Sequence, residues 1–444
     1  MDSPPAQEKE IERLIAVFAK EEIRNWTPDS QPPSTQELAS TALFLIGEPA
    51  VLPLIQALSS DNNNVRRWAI NTLKDLDDNR AVEPLLKILQ NQNEDYEIRV
   101  EVVYTPELLK NDQAIEALIN VLLNEKNPEL QAFVAITLGS LDDKRAVEPL
   151  IKVLSFFPTQ NVRWSIIPAL GEIGDIRAYE ALANALQDSK SQIRARAAYA
   201  LSNLKDSRAY PLILALLNDI DGHVVNTAIT ALGNLGDARA YETLVHILEG
   251  TFSIKYSSRD AAFALGKLGK KEAFIPLAKF MKSGDKHTAL YVALALGELG
   301  DLRAFDLLLE EITTTNARPN AYAAIGLGKL GDVRAFEPLV HALQNAGDWL
   351  ASCAATGLGE LGDIRAFGPL VEAHNSPSVY VRFEVATALG KIGNPTALPV
   401  LEKLALTDFE RTPAIQGGPN QVREAAIGSI KLIRRKLKES EKIV

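Results

Sequence analysis

A single motif recurs along most of this 444-residue chain, and its spacing restricts the possible folds more than any other feature. In its fullest form the motif reads L-G-x-L-G-D-x-R-A-[VFY]-x-P-L, and the alanine after the arginine marks each copy. Successive marker alanines are 31 to 33 residues apart, a regularity that indicates about twelve stacked structural repeats. The marker alanines are Ala50, Ala81, Ala114, Ala146, Ala178, Ala209, Ala240, Ala273, Ala304, Ala335, Ala366 and Ala397.

Each repeat contains two stretches with the periodicity of an amphipathic helix. In residues 334–343, an example of the first stretch, apolar side chains recur every three or four positions. In residues 64–73, an example of the second, Val65, Ala69 and Leu73 lie on one helical stripe. Neither helix can bury its apolar face alone, so neighbouring repeats must stack. The sequence therefore predicts an all-α fold, an α-solenoid of about twelve short helix pairs with a period of about 31 residues.

The segment from Gly326 to Gly331 has the G-x-G-x-x-G spacing of a dinucleotide-binding loop. Such a loop follows a strand, but residues 321–325 are rich in alanine and predict a helix. The same spacing returns one repeat later, at residues 357–362. We therefore interpret Gly331 as the residue that ends a helix in left-handed geometry, and Asp332 as the N-cap of the next helix. The motif predicts a joint between helices rather than a phosphate site.

Composition argues against several classes of function. The formal net charge of −10 disfavours a nucleic-acid partner, because phosphate contacts need clustered Lys and Arg. The single cysteine, Cys353, excludes an internal disulfide and fits a reducing compartment. No unbroken apolar stretch approaches the ~18 residues of a spanning helix, so we expect no membrane span and a cytoplasmic protein. None of the five histidines is followed by Glu, and we expect no metal site.

The two ends of the chain depart from the repeat. Residues 7–25 predict a lead-in helix, which the proline-rich run 28–33 ends. Ser34 and Glu37 have the spacing of a capping box for the helix that follows. At the other end, residues 434–438 predict a basic terminal helix that caps the solenoid.

Three internal segments are also irregular. Lengthened turns are expected near residues 250–254 and 408–420, and Pro106 is expected inside the second helix of its repeat. Irregular turns on one edge of a solenoid are often the places where partners bind. The alternative is that they are neutral insertions.

The repeat resembles known families. The alternation of D-x-R-A-[VFY]-x-P-L with a second helix that carries [VI]-R-x-x-A resembles HEAT-type repeats. The short period and the A-L-G-x-L-G-D joint resemble the phycobilisome-lyase HEAT-like repeat family, in particular the long, single-chain, phycoerythrin-type form of the E/F-type bilin lyases. The resemblance covers residues 36–437. It leaves residues 1–35 as a lead-in helix with a linker, and residues 438–444 as a C-terminal tail.

This resemblance implies a lyase or chromophore chaperone that binds a linear tetrapyrrole, phycoerythrobilin or phycocyanobilin, as its substrate and carries no covalently bound cofactor. Its partner would be a phycobiliprotein subunit, whose cysteine adds to the ethylidene group of the chromophore and forms a thioether. A second lyase-like chain is a further candidate partner. The alternative is a non-enzymatic adaptor that binds proteins through the same surface, in phycobilisome assembly or turnover or outside photosynthesis.

Residues that recur in every repeat are interpreted as structural. The Asp and Arg of D-x-R-A, and the arginine of the second helix, are expected to form caps and ion pairs between repeats. Specificity is therefore expected at positions where the repeats differ.

The resemblance places the second helices along the concave face of the solenoid. Counting two, five and six residues back from the leucine of each A-L-G joint selects a stripe that is rich in aromatic residues. Aromatic rings with a few Arg and acidic residues suit either a flat, conjugated, carboxylate-bearing ligand or a protein surface, although some rings could instead fill the core. The candidate ligand-binding residues are Arg67, Trp68, Trp164, Arg196, Tyr199, Arg259, Tyr291, Tyr322 and Glu384.

Two further residues of the stripe are candidate catalytic groups, Asp260 and Cys353. In the lyase hypothesis an Asp pairs with the pyrrole N–H groups, while Arg holds the propionates. For Cys353, the alternative is a small buried residue on an alanine-rich helix.

Overall fold

A computed structural model describes residues 4–20, 34–106, 108–156, 159–251, 257–283, 286–313, 321–408 and 422–441. Helices and turns make up these ranges, and no strand occurs within them. The all-α class is therefore confirmed. The chain divides into two compact units, Met1–Ala228 and Ile229–Val444, which we call the N-terminal unit and the C-terminal unit.

The helices of the N-terminal unit alternate between first helices, which have odd numbers, and second helices, which have even numbers. In chain order they are α1 Pro4–Val17, α2 Thr35–Ile46, α3 Val51–Ala57, α4 Asn63–Leu76, α5 Val82–Gln90, α6 Tyr96–Val103, α7 Asp112–Asn124, α8 Pro128–Ser140, α9 Val147–Ser155, α10 Gln160–Ile173, α11 Tyr179–Ala185, α12 Ser191–Asn203 and α13 Ala209–Ala215. The next helix, α14 Gly222–Leu235, contains the boundary between the units.

The C-terminal unit continues the same alternation. Its helices are α15 Ala240–Leu248, α16 Ser258–Leu268, α17 Phe274–Ser283, α18 Lys286–Leu299, α19 Phe305–Thr313, α20 Ala321–Leu330, α21 Phe336–Asn345, α22 Asp348–Leu361, α23 Phe367–Ala373, α24 Val379–Ile392, α25 Leu398–Thr407 and α26 Val422–Glu441. The twelve predicted repeats are the pairs from α3 with α4 to α25 with α26. All twelve marker alanines are fully buried, and second helices pack side by side within each unit, as α8 with α10 and α20 with α22.

The G-x-G-x-x-G segment is a joint, as predicted. Gly331 has a left-handed φ of 71°. The side chain of Asp332 accepts a hydrogen bond from the backbone N–H of Arg334 at 2.9 Å, which caps the short 3-10 turn ahead of α21. The Arg334 guanidinium lies 4.1 Å from the centre of the Phe305 ring, in the preceding repeat. One motif therefore ends a helix, caps the next and contacts the neighbouring repeat.

Two glycines of this segment serve a different purpose, which is close packing of neighbouring second helices. A Cβ added to Gly328 on α20 would lie 2.1 Å from the backbone oxygen of Gly357 on α22. A Cβ added to Gly326 would lie 2.6 Å from the backbone oxygen of Ala293 on α18. Helices α18, α20 and α22 thus touch through their backbones, an approach that only glycine permits.

The arginines of the second helices form ion pairs with the turn of the next repeat, as predicted. On α12, the Nε and Nη2 atoms of Arg194 donate to the two carboxylate oxygens of Asp219 at 2.8 and 2.7 Å. Both side chains are nearly buried, at 13% and 9% exposure. The Arg99–Glu125 pair repeats this arrangement earlier in the chain. These pairs connect successive repeats on the side opposite the joints.

Predictions for the ends of the chain were correct in part. The capping box is confirmed, because Ser34 Oγ accepts from the backbone N–H of Glu37 at 3.0 Å and the Glu37 carboxylate accepts from that of Ser34 at 2.8 Å. The lead-in helix ends at Val17, followed by a turn at residues 18–20, so its predicted extension to residue 25 was wrong. The predicted linker at residues 28–33 lies outside the described residues. The terminal helix is confirmed as α26.

The irregular segments also had mixed outcomes. Helix α6 ends at Val103, so Pro106 lies beyond the helix and its predicted place inside it was wrong. A proline has no N–H to continue the helical ladder, and it disfavours helical geometry in the residue before it. Of the two lengthened turns, residues 252–256 and 409–420 fall outside the described part of the chain.

Membrane-spanning segments were also sought in the described ranges. No individual helix there is long and apolar enough to cross a bilayer. Only α2 taken together with Glu48–Ala57 reaches the required length and composition, and that pair is bent by 119°.

The joint aspartates link stability to pH. A side-chain hydrogen bond from Arg177 is the main cause that lowers the pKa of Asp175, to about 2. The pKa of an aspartate in an unfolded chain is about 3.9. Because the folded pKa is the lower one, this contribution to the free energy of unfolding is complete above about pH 4 and is lost as the pH falls towards about 2. A neighbouring arginine likewise lowers the pKa of Asp143, Asp206, Asp237, Asp301, Asp332 and Asp363.

We expect Asp175→Asn to make the protein less sensitive to acid while it keeps the cap. Asn394 already caps the last joint, where its side-chain oxygen accepts from the backbone N–H of Thr396 at 3.0 Å. Between about pH 4 and pH 2, the slope of unfolding free energy against pH should fall by up to about 1.4 kcal/mol per pH unit. Urea denaturation at a series of pH values measures this slope, and a slope equal to that of the wild type would contradict the assignment.

Candidate functional site

The predicted site residues fall into three groups along the chain. Arg67 and Trp68 lie on α4. Trp164, Arg196 and Tyr199 lie on α10 and α12, in the same N-terminal unit. The remaining six lie on second helices of the C-terminal unit and are Arg259, Asp260, Tyr291, Tyr322, Cys353 and Glu384.

Arg67 and Trp68 have structural partners. The Trp68 ring stacks on Phe18 with 5.9 Å between ring centres, and Phe18 is fully buried. The Arg67 guanidinium pairs with Glu97 at 3.3 Å and with Glu101 at 3.2 Å. These contacts attach the N-terminal segment to α4 and α4 to α6, so we leave both residues out of the proposed site.

The second group lines a groove on the exposed face of α10 and α12. Trp164 and Tyr199 are 40% and 49% exposed, which is high for large rings. The groove has a volume of about 420 Å³, and a depression of about 340 Å³ adjoins it and shares part of its wall. The residues that the two have in common are Trp164, Pro168, Glu172 and Arg196.

Arg196 is the charged centre of this groove. Its guanidinium carbon lies 4.5 Å from the centre of the Trp164 ring, and burial lowers its pKa. An arginine nevertheless stays protonated at any physiological pH. Arg194, two residues earlier, is fully paired with Asp219, whereas Arg196 forms no ion pair with any residue that the structure describes. The groove therefore offers a cation and two exposed rings to an anionic, flat ligand.

Further groove residues escaped the sequence analysis. Burial raises the pKa of the Glu172 carboxyl. Glu172 lines the groove, and so does His223, from α14. Pro168 occupies one of the three counted positions, two residues before Leu170, but it is neither aromatic nor charged. Glu172 lies two residues after Leu170, outside the counted positions. Extending the count by one further helical turn would have found Glu172.

The third group forms a row of rings across four consecutive repeats. The Arg259 guanidinium carbon lies 5.3 Å from the centre of the Tyr291 ring. Tyr291 meets Tyr322 edge to face, with 6.2 Å between centres, and Tyr322 meets Trp349 at 6.0 Å. We call these four residues the aromatic row. Trp349 was not predicted, because it lies nine residues before the leucine used for counting.

The two candidate catalytic residues lie near this row. Asp260 Oδ1 accepts from Arg259 Nε at 3.2 Å, while its buried Oδ2 has no hydrogen-bond partner within the described ranges. Cys353 is only 5% exposed, and burial raises the pKa of its thiol to about 12. A thiol in these surroundings stays protonated and out of reach at neutral pH. The structure thus favours the alternative, in which Cys353 is a core residue.

Glu384 is a half-buried neighbour of Cys353. Burial raises the pKa of its carboxyl, which accepts a hydrogen bond from Thr356 at 2.9 Å. Within the described ranges, no group of three or more His, Cys, Asp or Glu side chains could hold a metal ion.

Two models of known protein families match parts of this chain. The model of HEAT repeats matches residues 21–103, 115–202, 179–254 and 348–431. The model of the PBS lyase HEAT-like repeat matches residues 320–345, a single repeat. No curated protein matches the chain.

Three solved structures show partial similarity to the chain. The complex of CpcE and CpcF of phycocyanin lyase from Nostoc sp. PCC7120 is 21% identical, covers 60% of this chain and 100% of its own, and has a TM-score of 0.38. Human deoxyhypusine hydroxylase is 21% identical over 71% of this chain and 96% of its own, with a TM-score of 0.28. YibA of E. coli is 19% identical over 61% and 98%, with a TM-score of 0.40. At such low identities and TM-scores, these similarities carry no argument about function.

The four matches to the HEAT-repeat model together cover more than half of the chain. They agree with the stacked helix pairs, the buried marker alanines and the regular joints. The chain belongs to the HEAT-repeat family.

Proposed function

We propose that this protein is a bilin lyase or chromophore chaperone that binds a linear tetrapyrrole in the groove formed by Trp164, Arg196 and Tyr199. The observation that carries the proposal is the Arg196 guanidinium, which lies over the exposed Trp164 ring, shares the groove wall with the exposed Tyr199 and has no acidic partner within the described ranges. The match of one repeat to the PBS lyase HEAT-like model supports the same class of function.

Each groove residue has a defined part in this proposal. The Trp164 and Tyr199 rings stack against the conjugated plane, and Arg196 binds a propionate. The thiol of a phycobiliprotein cysteine adds across the ethylidene double bond, so a carbon–sulfur bond forms, the thiol proton passes to the chromophore and no group leaves. The contribution of the protein is to hold the two reactants in attack geometry and to exclude wrong attachment.

The binding step is tested by titrating the protein with phycoerythrobilin and following its absorbance and fluorescence. We expect Arg196→Ala to weaken binding about 10- to 100-fold, the usual effect of losing a hydrogen bond to a charged group. The dimethyl ester of the chromophore, which has no carboxylate, should bind the wild type and this variant equally. Arg67 lies outside the groove, so the Arg67→Ala variant should bind phycoerythrobilin as tightly as the wild type does.

The second step is tested by adding an apo-phycobiliprotein subunit and measuring covalent attachment of the chromophore. Faster or more selective attachment in the presence of the protein supports the lyase function. A wild-type protein that neither binds phycoerythrobilin nor alters attachment would refute it.

The aromatic row favours a second candidate, a protein-binding adaptor. Its four residues span four repeats, longer than a small molecule requires. Protein interfaces are enriched in Tyr, Trp and Arg. In this case the apo-subunit should bind in the absence of chromophore, and Trp349→Ala should weaken that binding while Arg196→Ala should not.

A further inference from the structure

Helix α10 contains a proline in its interior, Pro168. Proline is normally excluded there, because it has no N–H and its ring clashes with the carbonyl group four residues earlier. That carbonyl belongs to Trp164. The Trp164 oxygen therefore lacks the N–H donor that an ordinary residue at position 168 would supply.

The fold itself does not require this proline. The equivalent position, two residues before the leucine of the joint motif, holds Ile136 on α8 and Tyr199 on α12. Both helices pack against α10 and, like it, are continuous. A proline at this position costs α10 a helical hydrogen bond that its two neighbours keep.

The two residues on either side of the missing hydrogen bond both belong to the groove wall. Trp164 and Pro168 are one helical turn apart on the same face, and both line the groove together with Arg196. A helical carbonyl points along the axis towards the residue four positions later, so the Trp164 oxygen is directed at the Pro168 side of the groove wall. A backbone carbonyl without a helical donor requires another donor, from water or from a ligand.

We propose that Pro168 turns the Trp164 carbonyl oxygen into a ligand acceptor, so that the groove selects conjugated carboxylates that also carry an N–H group. The inference rests on the proposed function and deepens it. Arg196 binds the carboxylate, the rings bind the conjugated plane, and the Trp164 oxygen accepts from a pyrrole or lactam N–H. A ligand without an N–H group leaves that oxygen unsatisfied.

The test restores the missing donor in two ways. Pro168→Ala and Pro168→Val both supply an N–H, and the valine keeps much of the apolar bulk of the proline ring. The probes are phycoerythrobilin and all-trans-retinoic acid, which is a conjugated carboxylate without N–H. Pro84→Ala is the control, because Pro84 is the third residue of α5 and its N–H would be unpaired in the helix in any case.

Both Pro168 variants are expected to melt a few degrees higher than the wild type, because each regains a helical hydrogen bond. Their affinity for phycoerythrobilin should fall about tenfold, while retinoic acid should bind all forms within about twofold. Pro84→Ala should change neither property. A gain in stability combined with a loss of affinity is not expected from a purely structural residue.

Each contrary result has a separate meaning. If Pro168→Val binds phycoerythrobilin as tightly as the wild type, the inference is wrong, and a loss in Pro168→Ala alone would show that the ring only fills the wall. A loss of affinity for both probes would also overturn it. If the wild type binds no phycoerythrobilin, the proposed function fails first and the inference fails with it.

Discussion

Gly328→Ala is expected to destabilise the C-terminal unit by about 3 kcal/mol or more. The new methyl carbon would lie 2.1 Å from the backbone oxygen of Gly357, and neither backbone can move without separating α20 from α22. Overpacking usually costs about 1–3 kcal/mol, and a clash with main chain rather than with a flexible side chain belongs at the upper end of that range. Urea denaturation followed by circular dichroism measures the change.

Gly428→Ala is the matched control, with the opposite expected sign. Gly428 is exposed in the interior of α26, and a Cβ there would meet no atom within 4 Å. Alanine should stabilise the helix by roughly 0.8–1 kcal/mol through its better helix propensity. If both variants shifted the urea midpoint in the same direction, close backbone contact would not be the reason for glycine at position 328.

The second large effect is expected for Arg194→Met. The substitution removes both hydrogen bonds to Asp219 and leaves a carboxylate that is 9% exposed without its counter-ion. Breaking a buried ion pair from one side typically costs about 3–5 kcal/mol, because the remaining charge is uncompensated. The arginine also donates to the backbone oxygen of Asp188 at 2.9 Å, so the turn before α12 loses a contact as well. The same denaturation experiment detects the loss.

A double variant separates the charge from the lost packing. In Arg194→Met with Asp219→Asn, no buried charge remains, and the asparagine oxygen can still accept from the backbone N–H of Asp221. This variant should therefore be more stable than Arg194→Met alone. Lys87→Met, which breaks the exposed Lys87–Glu83 pair on α5, should change stability by no more than about 0.5 kcal/mol. An effect of Arg194→Met as small as that of Lys87→Met would argue that water replaces the arginine.

The fold was predictable because its determinants are local and repeated. A few neighbouring residues determine the left-handed Gly331, the capping Asp332 and the amphipathic helix on either side. Because the motif occurs about twelve times, its pattern is recognisable although some copies are irregular. The end of α1 was mispredicted because nothing local stops that helix at Val17. There Phe18 turns inwards and stacks on Trp68, a contact between residues 50 positions apart in the chain.

The candidate site was less predictable, for a related reason. Counting back from a joint identifies which residues share a stripe, and it led to Trp164, Arg196 and Tyr199. The count does not show which residues of the stripe contact side chains from distant parts of the sequence, as Trp68 contacts Phe18. It also misses neighbours one turn away, such as Glu172 on α10, and Trp349 on α22. Whether an arginine is paired depends on the turn of the next repeat, which explains why Arg194 and Arg196 differ although they share a helix.

The stacking of several joint arginines on a ring of the preceding repeat has a consequence for how such chains grow. Arg303, Arg334 and Arg365 cover Phe274, Phe305 and Phe336 in turn, so in this part of the chain each repeat brings one ring and one cation. A tandem duplication of 31 residues would therefore carry both the ring and the arginine that contact the neighbouring repeats. The chain could lengthen without a new kind of interface. The final joint reads Asn394-Pro395-Thr396-Ala397, which supplies no cation for Phe367 and ends the series.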